Sequence, residues 1–395
     1  MPIHSTLWAY LWDLVDDDLE AAVDRCRNEL GLDGLSVAAA YHSVQQLRPT
    51  AATGKLFQAR DAALYFRPDD DAFHDTRLRP LVAPLAQQGD PWDRLATCCH
   101  RTGLELTAWT VCLHNSYLAR QCPELAQVTA YGDSLGWALC PGCDDVRAYV
   151  VALARQLVGR YGVRRVELES CHFGGYGHSH YHAKDGVELG NVGSYLFSLS
   201  FSPGCRARAQ AAGIDVDELQ AWVRGQLDPV LAGGPPLTGD LAFLVASQPA
   251  LAAFQQLRED IVTSLVAEVR AAVTADVSFI VMGDRWTGGV RPDRLAPALE
   301  CLETLAYTPV PAEVKAQVEQ LRAAADGAGT IRLGLQVYPP AARSAAELAA
   351  NVHQALELGV SRFSFYNYGI APRACLHWLP VALASAAPQR PRAAP

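Results

Sequence analysis

DDVRAYVVALARQLVGRYGVRRVELES (144–170) carries two periods in one stretch. Its first part sets apolar residues at helical spacing behind two aspartates and closes on Gly162, which predicts an amphipathic helix over 144–162. The second part, VRRVELES (163–170), alternates with period two and predicts a strand. A helix that runs through a short turn into a strand is the repeating unit of a parallel sheet.

The same rhythm extends both ways. Strands are predicted at STLWAYLWD (5–13), GLSVAAAYH (34–42), LELTAWTVCLH (104–114), DVSFIVMGD (276–284), ECLETLAYT (300–308), TIRLGLQVY (330–338) and SRFSFYNYG (361–369), with 163–170 as the fourth of eight. Helices are predicted at Asp16 to Gly31, Trp92 to Thr102, across much of 194–273 with a break near 233–238, from about Pro311, and from Ala345 to Leu358. Residues 43–90 read as a long loop rich in Arg, Pro and Asp. Eight strands alternating with helices predict a closed (β/α)8 TIM barrel with long βα-loop insertions, one domain over 1–384. An open doubly wound sheet has the same alternation, but no GxGxxG follows the first strand. The last residues, from about Ser385, lack any period and are expected to be disordered.

Half of the 395 residues are apolar, enough for a large core, and the formal net charge is -9. That balance argues against a nucleic-acid partner, which needs a basic face. No stretch approaches ~18 uninterrupted apolar residues, so no membrane span is expected. The N-terminus lacks the basic start, apolar core and cleavage site of a signal peptide, and a cytoplasmic protein beginning at residue 1 is expected. The 11 cysteines are odd in number and spread along the chain, which argues against a disulfide framework. Cys140 and Cys143 form a CxxC with no matching second pair, so a zinc site is not expected there.

Barrel enzymes work at the carboxyl ends of their strands, and alternation decides which side chains point inward there. In the third strand Trp109, Val111 and Leu113 are assigned to the helix side, leaving Thr110, Cys112 and His114 inward. Asp13 closes the first strand, where Trp8, Tyr10 and Trp12 share the other face. Glu167 and Glu169 share one face of the fourth strand. In the seventh, Arg332, Gly334, Gln336 and Tyr338 face in. Polar groups in that layer need partners or a task, because unpaired burial is costly. Each has a structural alternative: Glu167 or Glu169 pairing with Arg332, His114 as a hydrogen-bonded core histidine, Asp13 as a helix N-cap.

ELESCHFGGYGHSHYHAKDG (167–186) holds four of the 11 histidines, His172, His178, His180 and His182, beside Tyr176 and Lys184. Its glycines permit sharp turns and close approach to a ligand. Two chemistries fit: imidazoles and Lys184 holding sugar hydroxyls and a carboxylate, or HxHxH binding a divalent metal with Glu167 or Glu169. A solvated loop with incidental histidines is the plain alternative. The eighth strand ends with Tyr366, Asn367 and Tyr368, and the fifth with Asp284, Arg285 and Trp286. Aromatic faces beside amides and carboxylates suit a sugar. Arg285 is placed to fork onto a substrate carboxylate or to pair with Asp284.

LWDLVDDDLE (11–20), CLHNSY (112–117), PELAQVTAYGDSLGWALCPGCDDVRAYV (123–150) and VELESCHFGGYGHSHYHAKDG (166–186) resemble bacterial proteins of the glycoside-hydrolase barrel type over about residues 1–210. An Asp closing the first strand and a His closing the third is similar to the inverting exo-sialidases of glycoside hydrolase family 156. The resemblance implies Asp13 and His114 as the catalytic pair, with Arg285 or Lys184 meeting the sialic acid carboxylate.

The expected function is hydrolysis of a glycosidic bond by acid–base catalysis without a cofactor. Asp13 serves as base and His114 as its partner, with Glu167 and Glu169 as the alternative pair and Glu169 as its acid. Tyr10, His42, Asn115, His172, Tyr176, His178, His180, His182, Lys184, Arg285, Gln336, Tyr338, Tyr366 and Asn367 are the expected substrate contacts. The expected partner is a small carbohydrate, and a homodimer is left open. Two other readings stay open: a metal-dependent hydrolase or isomerase using the histidine loop, and a sugar-binding barrel without turnover.

Overall fold

The computed structural model describes residues 2–178, 182 and 184–386. Eight strands form the barrel: β1 (His4–Tyr10), β2 (Gly34–Tyr41), β3 (Glu105–Val111), β4 (Arg165–Glu169), β5 (Asp276–Ile280), β6 (Cys301–Leu305), β7 (Ile331–Gln336) and β8 (Arg362–Tyr366). Each pairs in parallel with the next, and β8 closes on β1 through Ser5↔Phe363 and Thr6↔Ser364. The closed TIM barrel expected from the sequence is therefore the architecture of the chain.

The opening helix–strand unit folds as its pattern dictates. Asp144 and Asp145 occupy the first turn of the helix Asp144–Tyr161, and Gly162 ends it at φ 59°, a left-handed position that favours glycine. Val146, Val150, Leu153 and Leu157 are buried against the barrel layer. Between β4 and β5 five helices, Gly190–Phe197, Pro203–Ala211, Val216–Leu231, Leu241–Ser247 and Pro249–Ala272, build an outer layer with its own apolar cluster around Leu196, Leu219, Val223 and Phe254. No helix among the described residues is long and apolar enough to cross a membrane.

Three expectations need correction. Residues 43–90 are not one loop: Val44–Leu47 and Leu56–Ala59 form an antiparallel hairpin, and Ala63–Leu64 adds antiparallel to the end of β2. Second, β1 ends at Tyr10 and the chain turns into a short helix, Leu11–Asp16, so Asp13 lies beyond the strand. The alternating Trp8, Tyr10, Trp12 reads as one strand. Trp12 instead leaves the barrel to stack on Phe57 at 4.4 Å and donates to Gln46 of the hairpin at 2.7 Å. Third, Trp109 faces into the barrel, not toward the helices. Its ring packs on Tyr10 and Trp8 at 5.4 and 6.1 Å, and its indole N–H donates to Glu169. Thr110 takes the other face without an orphaned hydroxyl, since it donates to the Ala108 carbonyl at 3.2 Å. The last helix runs Trp378–Ala386 and includes Ser385, while the rest of the expected tail lies outside the described residues.

The barrel interior is layered and unusually polar. At its amino end Glu300 binds Arg165 at 2.6 Å and also Arg362, and against the upward push of burial those cations hold its carboxyl down at about 2. In the middle layer Glu167 accepts from Trp8 Nε1 at 2.6 Å and Ser36 Oγ at 2.7 Å. Burial, and then the charge of Glu167, push the neighbouring Glu303 well above the usual carboxylate range. Arg332 donates to Thr6 Oγ1 and the Phe363 carbonyl rather than to Glu167 or Glu169. The carboxyl mouth lies above this layer.

Candidate active site

Glu169 is the last residue of β4 and rises from the interior into the mouth, with 8% of its surface exposed. Its Oε2 accepts from Trp109 Nε1 at 2.5 Å. No ion pair reaches it among the described residues. Desolvation raises its carboxyl to about 7, the Trp109 hydrogen bond pulls the other way, and the charge of Glu167 below adds to the rise. The alternation of VELES thus puts one glutamate into the scaffold and the next into a site where a carboxylic acid keeps its proton near neutrality.

Beside Glu169, β1, β2 and β8 each end on a tyrosine. Tyr10 Oη lies 2.9 Å from Tyr41 Oη and 2.8 Å from Tyr366 Oη. Burial raises the Tyr366 hydroxyl above its ordinary value, and the charges of Glu169 and Asp13 add to the rise. Tyr307, which follows β6, stacks on Tyr366 at 5.6 Å and leaves 39% of its surface to solvent. Gln336, the last residue of β7, and Tyr338 just past it lie half-buried, and Gln336 donates to the Tyr338 carbonyl at 3.1 Å.

A second wall is built of rings in sequence. His42 stacks on Tyr41 at 4.3 Å and on His114 at 4.5 Å. His114 meets His178 edge-on at 4.7 Å, and Trp137 packs against both. Trp137 comes from the hairpin Ala126–Val128 and Ser134–Leu139, whose strand bridges to His114. A cavity of about 270 Å³ opens here, lined by His114, Trp137, Ser170, His172, His178 and Asp284. His172 donates Nδ1–H to the Phe173 carbonyl at 2.7 Å, which leaves Nε2 as the acceptor, and burial lowers its proton affinity.

Asp13 has both oxygens occupied. Oδ2 accepts from Gln46 at 2.8 Å and Oδ1 from Arg48 Nε at 2.7 Å, so the hairpin is tied to the barrel rim through this carboxylate. Desolvation still raises Asp13 above its ordinary value against those bonds. It does not cap a helix, since the helix Leu11–Asp16 begins before it.

The remaining expected contacts divide. Asn115 caps the helix Ser116–Gln121 by accepting from the Leu118 amide at 2.9 Å. Asn367 is buried and accepts from the Gly369 amide. Tyr176 donates to Asp185 at 2.8 Å on the outer loop, and His182 and Lys184 are exposed there. His180 lies outside the described residues. Arg285 pairs with neither Asp284 nor a free space: its Nε binds the fully buried Glu259 at 2.7 Å and its guanidinium lies over Trp286. Among the described residues no group of three or more His, Cys, Asp or Glu is arranged to hold a metal ion.

Sequence reasoning left out Tyr41, Trp109, Trp137, Tyr307, Gln46 and Arg48 as site residues. Tyr41 and Tyr307 were findable, since each stands at or just past a predicted strand's carboxyl end. Trp137 and the Gln46–Arg48 pair arrive on hairpins that break the strand–helix rhythm, and nothing in their local pattern marks them.

No protein-family model and no curated protein matches the sequence. Solved structures do match. The PgaB (BpsB) glycoside hydrolase domain from Bordetella bronchiseptica superposes with a TM-score of 0.58 at 15% identity, covering 97% of this chain and 98% of that one. A β-galactosidase from the psychrophilic Marinomonas ef1 gives 0.56 at 13% identity, over 96% of this chain and 59% of that one. The α-L-fucosidase isoenzyme 2 from Paenibacillus thiaminolyticus gives 0.55 at 12%, over 97% and 49%. At such identities the likeness is one of fold: this chain is a TIM barrel of the shape those glycoside hydrolases share.

Proposed function

We propose that the chain is a glycosidase that cleaves a glycosidic bond at the carboxyl mouth of the barrel, with Glu169 as general acid. One observation carries the reading: Glu169 is a buried carboxyl with a fixed orientation, no cationic partner among the described residues, and a proton affinity raised to about 7. A glycosidic oxygen leaves poorly unless it is protonated as the bond breaks, and an acid titrating near neutrality does this best. Aromatic faces and hydroxyls around it, from Tyr10, Tyr41, Tyr307 and Tyr366, suit a sugar ring with its apolar CH face and polar rim. The similarity of fold to glycoside hydrolases supports the same class.

Water activation falls to the imidazole wall, with His114 the candidate base because it lies innermost between His42 and His178. Asp13, held by Gln46 and Arg48, positions the hairpin in this reading and does not take a proton from water.

The narrower expectation, an inverting exo-sialidase acting through Asp13 and His114, needs a cation for the sugar carboxylate. Arg285 is committed to Glu259 and Arg48 to Asp13 and Asp16, and Lys184 stands exposed on the outer loop, so the uncharged glycosides are favoured. A panel of aryl glycosides that includes a sialoside, run on wild type and Glu169→Gln, tests both. Turnover of a neutral glycoside that the variant loses supports this assignment. Turnover of the sialoside alone, kept in Glu169→Gln and lost in Asp13→Asn, overturns it in favour of the sialidase pair.

A further inference from the structure

The CxxC at 140–143 has no task in the mouth, yet it is not isolated. Cys140-Pro-Gly-Cys143 meets Ser202-Pro-Gly-Cys205, a second Pro-Gly-Cys turn that starts the helix Pro203–Ala211. The two glycines make the meeting close. A β-carbon on Gly204 would stand 2.5 Å from the Gly142 carbonyl oxygen, and one on Gly142 would stand 2.9 Å from Cys205 Sγ. Arg208 fastens the turn by donating to the Gly142 carbonyl at 2.9 Å.

That approach sets Cys140 Sγ and Cys205 Sγ 3.3 Å apart, about 1.3 Å more than an S–S bond of ~2.05 Å. Ser202 Oγ donates to Cys140 Sγ at 3.0 Å. The two sulfurs differ in character. Burial pushes the Cys140 thiol up to about 12, whereas the hydrogen bond from Cys140, joined by those of Ser202 and Ser200, lowers Cys205 against its burial. Both sulfurs are buried, so only a small uncharged oxidant can reach them, and a thiol of raised acidity in contact with a second thiol is the pair such an oxidant would join.

We propose that Cys140 and Cys205 are an oxidisable dithiol that hydrogen peroxide converts to a disulfide. Cys205 sulfur gives up its proton and attacks one peroxide oxygen, the O–O bond breaks, and the hydroxide that leaves takes up that proton as water. Cys140 sulfur then attacks the Cys205 sulfenic sulfur, the S–O bond breaks, and the departing oxygen leaves as a second water with the Cys140 proton. Two thiols are oxidised and one peroxide is reduced to two waters. The bond staples the hairpin strand that carries Trp137 to the outer helical layer, across 65 residues of chain. The site is independent of the glycosidase reading.

The test uses the full-length folded protein, treated with hydrogen peroxide, blocked with N-ethylmaleimide and digested without reductant for mass spectrometry. The expected result is the loss of two alkylatable thiols and a Cys140–Cys205 linked peptide that a phosphine reductant dissolves. The same link forms in Cys143→Ala, and none forms in Cys205→Ala. The oxidised wild type also melts at a higher temperature than the reduced protein. A link between Cys140 and Cys143, or between the neighbouring Cys112 and Cys171, overturns the proposal, as does a native protein that keeps all its thiols. Stoichiometric zinc released from untreated protein overturns it too, because the thiols would then be metal ligands. If Cys205→Ala does not fold, the wild-type linked peptide alone decides.

Discussion

Arg48 donates Nε to Asp13 at 2.7 Å, and neither side chain of the pair shows more than 6% of its surface to solvent. A single buried ion pair therefore joins the hairpin of residues 44–59 to the segment that follows β1, with Gln46 as its second tie. Removing one member of such a pair leaves the other charged, buried and unpaired. Arg48→Ala is expected to lower stability by roughly 3–5 kcal/mol in urea unfolding. Asp13→Asn in the same background recovers much of that loss. A double-variant loss equal to the sum of the Arg48→Ala and Asp13→Asn losses would mean that the pair carries no coupling.

Gly369 lies against the same carboxylate. A β-carbon there would stand 1.6 Å from Asp13 Oδ2 and 2.1 Å from Cγ. Gly369→Ala is expected to cost about 2 kcal/mol through displacement of Asp13 from Arg48. Thermal melts of Gly369→Ala with and without Arg48→Ala check this: the alanine does less damage once Arg48 is gone.

Burial raises the Glu169 carboxyl, and Trp109 holds the rise back. Its indole N–H favours the ionised carboxylate, so its loss moves the carboxyl further above 7. In Trp109→Phe the falling limb of the rate against pH is expected to shift to higher pH, with the ring packing on Tyr10 retained. A limb that stays in place or moves to lower pH is inconsistent with this hydrogen bond acting on the acid.

The same displacement affects stability. Glu169 keeps its proton in the folded chain up to about 7 and in the unfolded chain only up to its ordinary 4.5. Between those values the folded state binds more protons, so the group's favourable contribution is full below about 4.5 and is lost as pH rises through about 7. Its size is at most on the order of 3 kcal/mol. Glu169→Gln cannot ionise, and its stability is expected to fall less than that of wild type between pH 5 and 8 in urea titrations.

The barrel was legible because its evidence is local. Period-two runs such as VRRVELES and the helical spacing before them report burial directly, and β4 and its helix fold within a residue or two of the expected bounds. Faces near the strand ends were less legible. β2 is irregular in its pairing with β3 between Ala38 and Ala40, and inward aromatics replace the branched residues of an ordinary barrel, so simple alternation points Trp109 outward. Asp13 illustrates a different limit: its partners Gln46 and Arg48 arrive on a hairpin that reads as loop. The local sequence offers Arg285 only its neighbour Asp284 or a substrate carboxylate, whereas its partner Glu259 belongs to the helix before β5. Contacts made across long chain separations leave no mark in a local period.

The most direct measurement is the turnover of Glu169→Gln against wild type on a panel of aryl glycosides whose leaving groups range from good to poor. Loss of the acid is expected to lower the rate by roughly 10² or more on the poor leaving groups, which need protonation, and by much less on the good ones. The basic limb near pH 7 should vanish with it, while the melting temperature holds. A variant that hydrolyses poor leaving groups within a few-fold of wild type, with the limb intact, would contradict Glu169 as the acid.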